Sequence, residues 1–202
     1  MQLNAQVAAR RHFQKPVLCE MHRLRAKVFC ERKGWAIPTM SGMEIDGYDA
    51  IDPVYMLMHE PNGQLRGCWR LLPTEGPYML KDTFPELLYG VPAPESPRIW
   101  ELSRFTLETD GQHTFGFSNE AIQSISEVMN YGHDHGIEQY VIVTTTSIER
   151  MLRRAGAVMS RFGPPFVIGV ETTVALSIDI AATLEALIGK PRPTYTMLNF
   201  QS

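Results

Sequence analysis

The sequence predicts an α/β (α+β) fold, a mixed sheet with helices on both faces, in a single domain spanning residues 1–202. Val54–Glu60 and Leu65–Leu72 are strand-like runs around the turn PNGQ, the signature of a hairpin. Gln139–Thr145 (QYVIVTT) is rich in β-branched residues and reads as a central strand. Helical and strand patterns then alternate to residue 188, so each strand has a helix to cover it. No linker or internal repeat interrupts this order.

Taken along the chain, residues 16–31 place Val17, Leu18, Met21, Leu24 and Val28 at helical spacing. Pro16 suits the first turn and Gly34 ends the helix. ERKGWAIPTMSGMEIDGYDAIDP follows with little periodicity. A loop that long inside a domain is usually functional. After the hairpin, a Pro-rich connection holds one short helix near Phe84–Leu88, and WELSRF forms the next strand. Ser118 caps a helix with the apolar stripe Ala121, Ile122, Ile125, Val128 and Met129. Ser147 starts a helix that Gly156 stops. Thr173–Ile180 alternates as a half-buried strand, and Ile180–Ile188 is the last helix.

At 44% hydrophobic and 20% charged, the 202 residues are enough for a full core without disulfide or metal. A net charge of −3 argues against nucleic-acid binding. No apolar run reaches the length of a membrane span, and MQLNAQVAARRHF has no apolar signal-peptide region. Cys19, Cys30 and Cys68 show no metal spacing, so a reduced, cytoplasmic chain is expected.

WELSRF poses a question. Glu101 and Arg104 lie three apart, and a regular strand would send them to opposite faces. Other charges are equally open in meaning. Glu44, Asp46, Asp49 and Asp52 of EIDGYDAID fit either turn chemistry or a cation site, although the EF-hand spacing is absent. Arg23, Arg25 and Lys27 fit a solvated helix face, or a buried pairing of Arg25 with a loop aspartate. Arg70 ends an apolar strand and needs a partner if buried. GHDHG offers His133 and His135, which do not share a helix face and fit a helix end. Arg150, Arg153, Arg154 and Arg161, beside Glu149, fit either a solvated helix end or a dock for an acidic partner.

Together these residues resemble the acyl-homoserine-lactone synthases, the LuxI-type autoinducer synthases. The resemblance runs through RLRAKVFCERKGW, EIDGYD, GCWRLL and WELSRF, and covers roughly residues 15–180. Arg25, Phe29, Trp35, Asp46, Asp49, Arg70, Phe84, Glu101 and Arg104 fall in order on the positions that mark the family. MEIDGYDA and GPYMLKDTFPELL are similar to the LasI branch in particular. The resemblance implies a GNAT-like fold and two substrates, S-adenosylmethionine and an acylated acyl carrier protein. It implies no further cofactor and no metal. A GNAT-type acyl-CoA-dependent N-acyltransferase is the alternative. Its Q/R-x-x-G-x-G/A loop should open a helix, whereas RRAGAV here ends one and Val158 fills its last position. A non-catalytic binding module gives no reason for Glu101 beside Arg104.

The resemblance assigns expected roles. Glu101 is the base for the substrate amine, directly or through one water. Ser103 and the backbone of Leu102–Arg104 stabilise the oxyanion. Arg104 binds the methionine carboxylate as a fork. Arg25 and Arg70 tie Asp46, Asp49 and Glu101 together. Phe29, Trp35, Met43, Asp46, Arg104 and Phe105 bind S-adenosylmethionine, under a nucleotide-side lid formed by residues 16–53. Val28, Trp69, Met79, Leu102, Phe105, Thr144, Met151, Leu152 and Leu176 line the acyl pocket. Thr144 falls where the family tends to carry Thr for 3-oxo chains, while Ile142 replaces a second Thr common in the LasI branch. A medium-to-long chain is expected, 3-oxo ahead of unsubstituted. Arg150, Arg153 and Arg154 dock the carrier protein, and the enzyme acts as a monomer.

Overall fold

The computed structural model describes residues 3–32, 34–35, 37–108 and 118–186, and the backbone of 195–197. The chain opens on β1 (Asn4–Ala9) and enters α1 (Lys15–Ala26), which continues as a wider π-turn over Lys27–Arg32. A small hairpin, β2 (Thr39–Met40) and β3 (Met43–Glu44), precedes a 3-10 turn at Gly47–Asp49. Next come β4 (Val54–His59), β5 (Leu65–Pro73), the single turn α2 (Met79–Asp82), a 3-10 turn at Pro85–Leu88, and β6 (Ile99–Leu107). The remainder is α3 (Asn119–Asp134), β7 (Gln139–Thr145), α4 (Thr146–Ala155), β8 (Met159–Arg161), β9 (Phe166–Ile168), β10 (Glu171–Asp179), α5 (Ile180–Ala186) and β11 (Tyr195–Met197).

The main sheet runs β11-β1-β4-β5-β6-β7-β10-β8, with β9 also on β10. Among the described residues, β1–β11 and β6–β7 are the parallel pairs. Strand alternation sends Met56, Met58, Trp69, Leu71, Leu102, Ile142, Val174 and Leu176 to one face. There they pack against Ile125 and Val128 of α3, Leu152 of α4 and Ile180 of α5. The opposite face carries Tyr55, Leu57 and Cys68 against Leu18, Met21 and Leu24 of α1. Further along that face, Leu72, Val141 and Ala175 meet Leu80 of α2. Each buried aliphatic side chain contributes about 1.5–3 kcal/mol, so both faces hold the sheet.

The expected layers, hairpin and main strands are present. Several short elements were not anticipated. β1 is built largely from Asn, Gln and Ala, which score poorly as strand formers, and it is held by pairing with β4 and by Ala5 and Val7 packing into the core. β8 and β9 are three-residue strands that exist by pairing with β10. The long loop is also more ordered than expected, since it contains β2, β3 and the Gly47–Asp49 turn. α4 starts earlier than Ser147: Thr145 is the N-cap, accepting from Ile148 N–H at 3.4 Å. Gly156 ends α4 in the left-handed conformation, φ 101°, so RRAGAV is a helix stop. Likewise α3 ends within GHDHG, and His135 Nδ1 lies 2.8 Å from Tyr131 O. The last two positions of the expected Ile180–Ile188 helix lie outside the described residues.

Candidate active site

β6 resolves the WELSRF question by breaking its own periodicity. Cys68 of β5 pairs with Thr106, but Arg70 pairs with Ser103. Two steps on β5 therefore oppose three on β6, which is a bulge at Arg104–Phe105. Arg104 takes the left-handed conformation, φ 54°, which a non-glycine residue rarely adopts. The extra residue inverts the alternation. Glu101, Ser103 and Arg104 share the face covered by α1 and α2, while Leu102 and Phe105 join the opposite core. Close strand approach also explains Gly67, where a Cβ would stand 2.6 Å from Thr106 O.

On that face lie the guanidiniums of Arg25, Arg70 and Arg104 and the carboxylates of Glu44, Asp46 and Asp49. Arg25, from α1, forks onto Asp49 with Nη1–Oδ1 at 2.8 Å and Nη2–Oδ2 at 3.0 Å, and also pairs with Glu44. Arg70, from β5, donates to Asp46 at 2.5 Å, Asp49 at 3.0 Å and Ser103 Oγ at 3.1 Å. Arg104 donates Nε to Glu44 at 3.0 Å and Nη2 to Asp46 at 2.7 Å. Tyr55 O–H donates to Asp49 at 2.6 Å. The loop is shaped for this. Asp46 accepts from Tyr48 N–H while Asp49 accepts from Asp46 N–H, a reciprocal cap that aims both carboxylates inward. Turn chemistry and ion pairing thus coexist in EIDGYD.

Burial sets the electrostatics. Desolvation alone would raise the Asp49 carboxyl, but the Arg25 bonds and the charges of Arg25 and Arg70 hold it well below the usual range. Burial would lower Arg25, and Asp49 and Glu44 more than offset it. Arg104 is different. Desolvation lowers it, and repulsion from Arg70 and Arg25 offsets part of what Glu44 and Asp46 restore. Arg104 and Asp46 are also the open edge of the cluster, with side chains 11% and 20% exposed. Arg104 therefore has room and electrostatic reason to take a further anion.

Glu101 does not join this network by hydrogen bonds to the arginines, as the sequence reading had it. Its Oε2 accepts from Met79 N–H at 2.9 Å and its Oε1 from Leu80 N–H at 2.7 Å, both at the start of α2. The reason is position: Glu101 precedes the bulge and faces α2, and Arg70 and Arg104 reach it only through their charge. Burial pushes its carboxyl up to about 7, against the pull of those two N–H groups and the two arginines.

The remaining expected residues divide by sheet face. Phe29 stacks on Trp35 at 5.3 Å, with the Arg104 guanidinium 5.7 Å from the Phe29 ring centre. Met43 is half-buried in β3. Phe84 packs into the α2 side of the core. Trp69, Leu102, Leu152 and Leu176 share the opposite core, and Phe105 stacks on Trp69 at 4.1 Å. Phe105 therefore sits with the acyl group of residues, away from Phe29 and Trp35. Thr144 and Met151 are half-buried, and Thr144 follows Ile142 onto that same face by alternation. Met79 does not belong there. Its Sδ accepts from Arg70 Nη2 at 3.1 Å and lies 3.5 Å from Arg104 Nη1. Val28 is buried in the turn after α1. Arg150, Arg153 and Arg154 are exposed along α4, but Arg153 shares Glu149 with Arg161. Glu44 and Tyr55 were missed. Glu44 heads the acidic run, yet nothing in spacing says that it alone bridges Arg25 and Arg104.

β6 and β7 pair only from Ile99–Gln139 to Glu101–Val141, although both strands continue, to Leu107 and Thr145. The ladder ends beside Glu101, and the unpaired stretch beyond it is a slot in the hydrogen bonding of the sheet. Such a slot can hold an extended chain whose reactive end meets the charges. Among the described residues, no group of His, Cys, Asp and Glu is arranged to hold a metal ion.

Known proteins resemble this chain in sequence and fold. The autoinducer synthase family matches residues 10–186. An acyl-homoserine-lactone synthase of Pseudomonas aeruginosa is 50% identical over 187 residues, covering 91% of this chain and 93% of its own. The crystal structure of the AHL synthase LasI superposes with a TM-score of 0.85 at 47% identity, covering 100% of this chain and 99% of its own. A CoA-dependent acyl-homoserine lactone synthase, BjaI, with SAM and isopentyl-CoA, gives a TM-score of 0.86 at 29% identity, covering 99% and 95%. With the bulged β6, the arginine–carboxylate cluster and the slot in a GNAT-like sheet, these matches show that the chain belongs to the autoinducer synthases and is an acyl-homoserine-lactone synthase.

Proposed function

We propose that the enzyme joins S-adenosylmethionine to an acyl chain delivered as the thioester of an acidic acyl carrier protein. The bulge in β6 carries this reading, because it sets Glu101 and Arg104 together at the mouth of the slot. Arg104, at the open edge of the cluster, takes the methionine carboxylate as a fork. Phe29 and Trp35, with Met43, hold the adenosine and sulfonium under the segment 16–53. The α-amino group of the substrate is largely protonated near neutral pH. Glu101, whose carboxyl lies near 7, accepts that proton, directly or through one water. The freed amine attacks the thioester carbonyl. Ser103, whose Oγ already accepts from Arg70, keeps its O–H for the oxyanion, together with the backbone of Leu102–Arg104. Collapse expels the carrier thiol and forms the amide. The methionine carboxylate then attacks its own γ-carbon, closing the lactone and releasing methylthioadenosine. S-adenosylmethionine is thus a substrate, and the residues present need no further cofactor.

The chain lies in the slot and the core beyond it, against Trp69, Leu102, Phe105, Leu152 and Leu176. The apolar lining suits a medium-to-long chain, and Thr144 would donate to a 3-oxo group. Arg150 and Arg154 meet the carrier protein most directly, since Glu149 neutralises part of Arg153. We infer that the enzyme works as a monomer in the cytoplasm, where both substrates are made. Among the described residues, no helix is long and apolar enough to cross a membrane. The decisive experiment mixes protein, S-adenosylmethionine and acyl carrier proteins bearing chains of several lengths, with the matching acyl-CoAs as a parallel series. Lactone detected by mass from long 3-oxo carrier substrates supports the reading. Lactone from acyl-CoA alone, the donor class of the BjaI structure, overturns the carrier protein's role.

A further inference from the structure

Glu101 owes its orientation to the turn at the start of α2, and that turn is closed by Asp82, which makes no hydrogen bond to Glu101 itself. Asp82 Oδ2 accepts from Tyr78 N–H at 3.1 Å, and Asp82 N–H donates to Tyr78 O at 3.1 Å. The ring so formed encloses Met79 and Leu80, the two residues whose N–H groups hold Glu101. Tyr78 O–H anchors the same turn by donating to Pro94 O at 2.6 Å. Met79 also lays its thioether on Arg70 and Arg104. One short turn therefore supports the carboxylate and both guanidiniums. A single helical turn has little intrinsic stability, so its closing bonds decide its shape.

We propose that Asp82 is a positioning residue for the reaction, acting through the Met79 and Leu80 N–H groups to aim the Glu101 carboxylate and favour its ionised form. This rests on Glu101 being the base. The groups facing Glu101 are Arg70 from β5, Arg104 from β6, Tyr78 and the two N–H groups from α2, and Tyr48 from the loop, while Val141 of β7 is apolar. Asp82 is exposed, so replacing it leaves no buried gap. Loosening the turn weakens donors that favour the charged carboxylate and so raises the Glu101 pKa, while loss of the nearby Asp82 charge works the other way. Asp82→Asn, which removes the charge and keeps the acceptor, is therefore the reference that isolates the turn.

The test is a titration of substrate-free enzyme labelled with [δ-13C]glutamate, followed by NMR. The Glu101 signal is assigned by its loss in Glu101→Gln. Asp82→Ala is expected to move the Glu101 midpoint upward by about one unit relative to Asp82→Asn, a shift that loss of hydrogen-bond donors readily produces. Turnover at pH 7 should fall several-fold and recover as the pH rises. Asp82→Asn keeps an acceptor for Tyr78 N–H and should restore both. Asp82→Ser, too short to close the ring, should behave as the alanine variant and serves if that variant does not fold. A midpoint in Asp82→Ala or Asp82→Ser that matches the asparagine variant overturns the proposal, as does an asparagine variant that turns over no faster than alanine. Near-normal turnover in Glu101→Gln would instead remove Glu101 as base while leaving the titration result standing, so the two failures are distinguishable.

Discussion

Among the described residues, two of the arginine–carboxylate networks differ sharply in their surroundings. The cluster on β5–β6 sets Arg25 against Asp49 with side chains 0% and 1% exposed. The α4–β8 network sets Arg153 and Arg161, 48% and 38% exposed, on Glu149, whose own side chain is 3% exposed, so here water reaches the guanidiniums though not the carboxylate. The chemical groups are the same, and only the surrounding medium differs. In the interior an unpaired charge has no water to turn to, so each partner is obligatory. At the surface water and salt replace a lost partner cheaply. The buried cluster can therefore fix geometry to a fraction of an ångström. The exposed one offers charge that a partner protein can share.

The largest effect should come from breaking the buried network. Arg25→Ala or Asp49→Ala strands a charge and should cost about 3–5 kcal/mol in urea unfolding, a large share of a typical domain's stability. Arg25→Ala, Asp46→Ala, Glu101→Ala and Arg104→Ala should each remove nearly all activity. Circular dichroism and melting should separate them, with the half-open pair Arg104 and Asp46 losing chemistry before fold. If Arg25→Ala melts like the parent, burial is not what makes this network obligatory.

Proton linkage sharpens the contrast within the cluster. The Asp49 pKa is lowered in the folded state, so its stabilisation is present above the ordinary carboxylate range and is lost as the pH falls through the folded value. Glu101 runs the other way. Its pKa is raised from 4.5 to about 7, so its contribution is full below the unfolded value and is lost as the pH rises through 7. Glu101→Gln should therefore gain melting temperature relative to the parent between pH 5 and pH 8, whereas Asp49→Asn should lose it at every pH above 4. A Glu101→Gln curve parallel to the parent would show that the carboxyl is not perturbed.

Smaller effects belong to the exposed network. Arg161→Ala should cost about 1 kcal/mol or less, and added salt should erase the difference. Charge reversal at Arg150 and Arg154 should raise the apparent KM for acyl-carrier substrate and leave S-adenosylmethionine binding unchanged. A KM insensitive to both reversal and salt would remove the basic dock. Smallest is Thr144→Val, which should shift the preference for 3-oxo over unsubstituted chains by about 1 kcal/mol, several-fold in rate ratio. An unchanged ratio would mean that Thr144 does not read the third carbon.

The sequence by itself determined the layer order, the hairpin around PNGQ and the helix caps at Ser118 and Gly156. These are local matters of periodicity, turn residues and residue type. Tertiary structure decided the rest. β1, β8 and β9 are too short or too weakly patterned to form without a neighbour's unpaired edge. Only the register between β5 and β6 reveals the bulge that turns Arg104 to the side of Glu101, because a strand's own sequence does not show how many residues its partner sets opposite it. The partners of Glu101 were likewise invisible, since they are backbone N–H groups, which every residue but proline has and which no side-chain pattern marks.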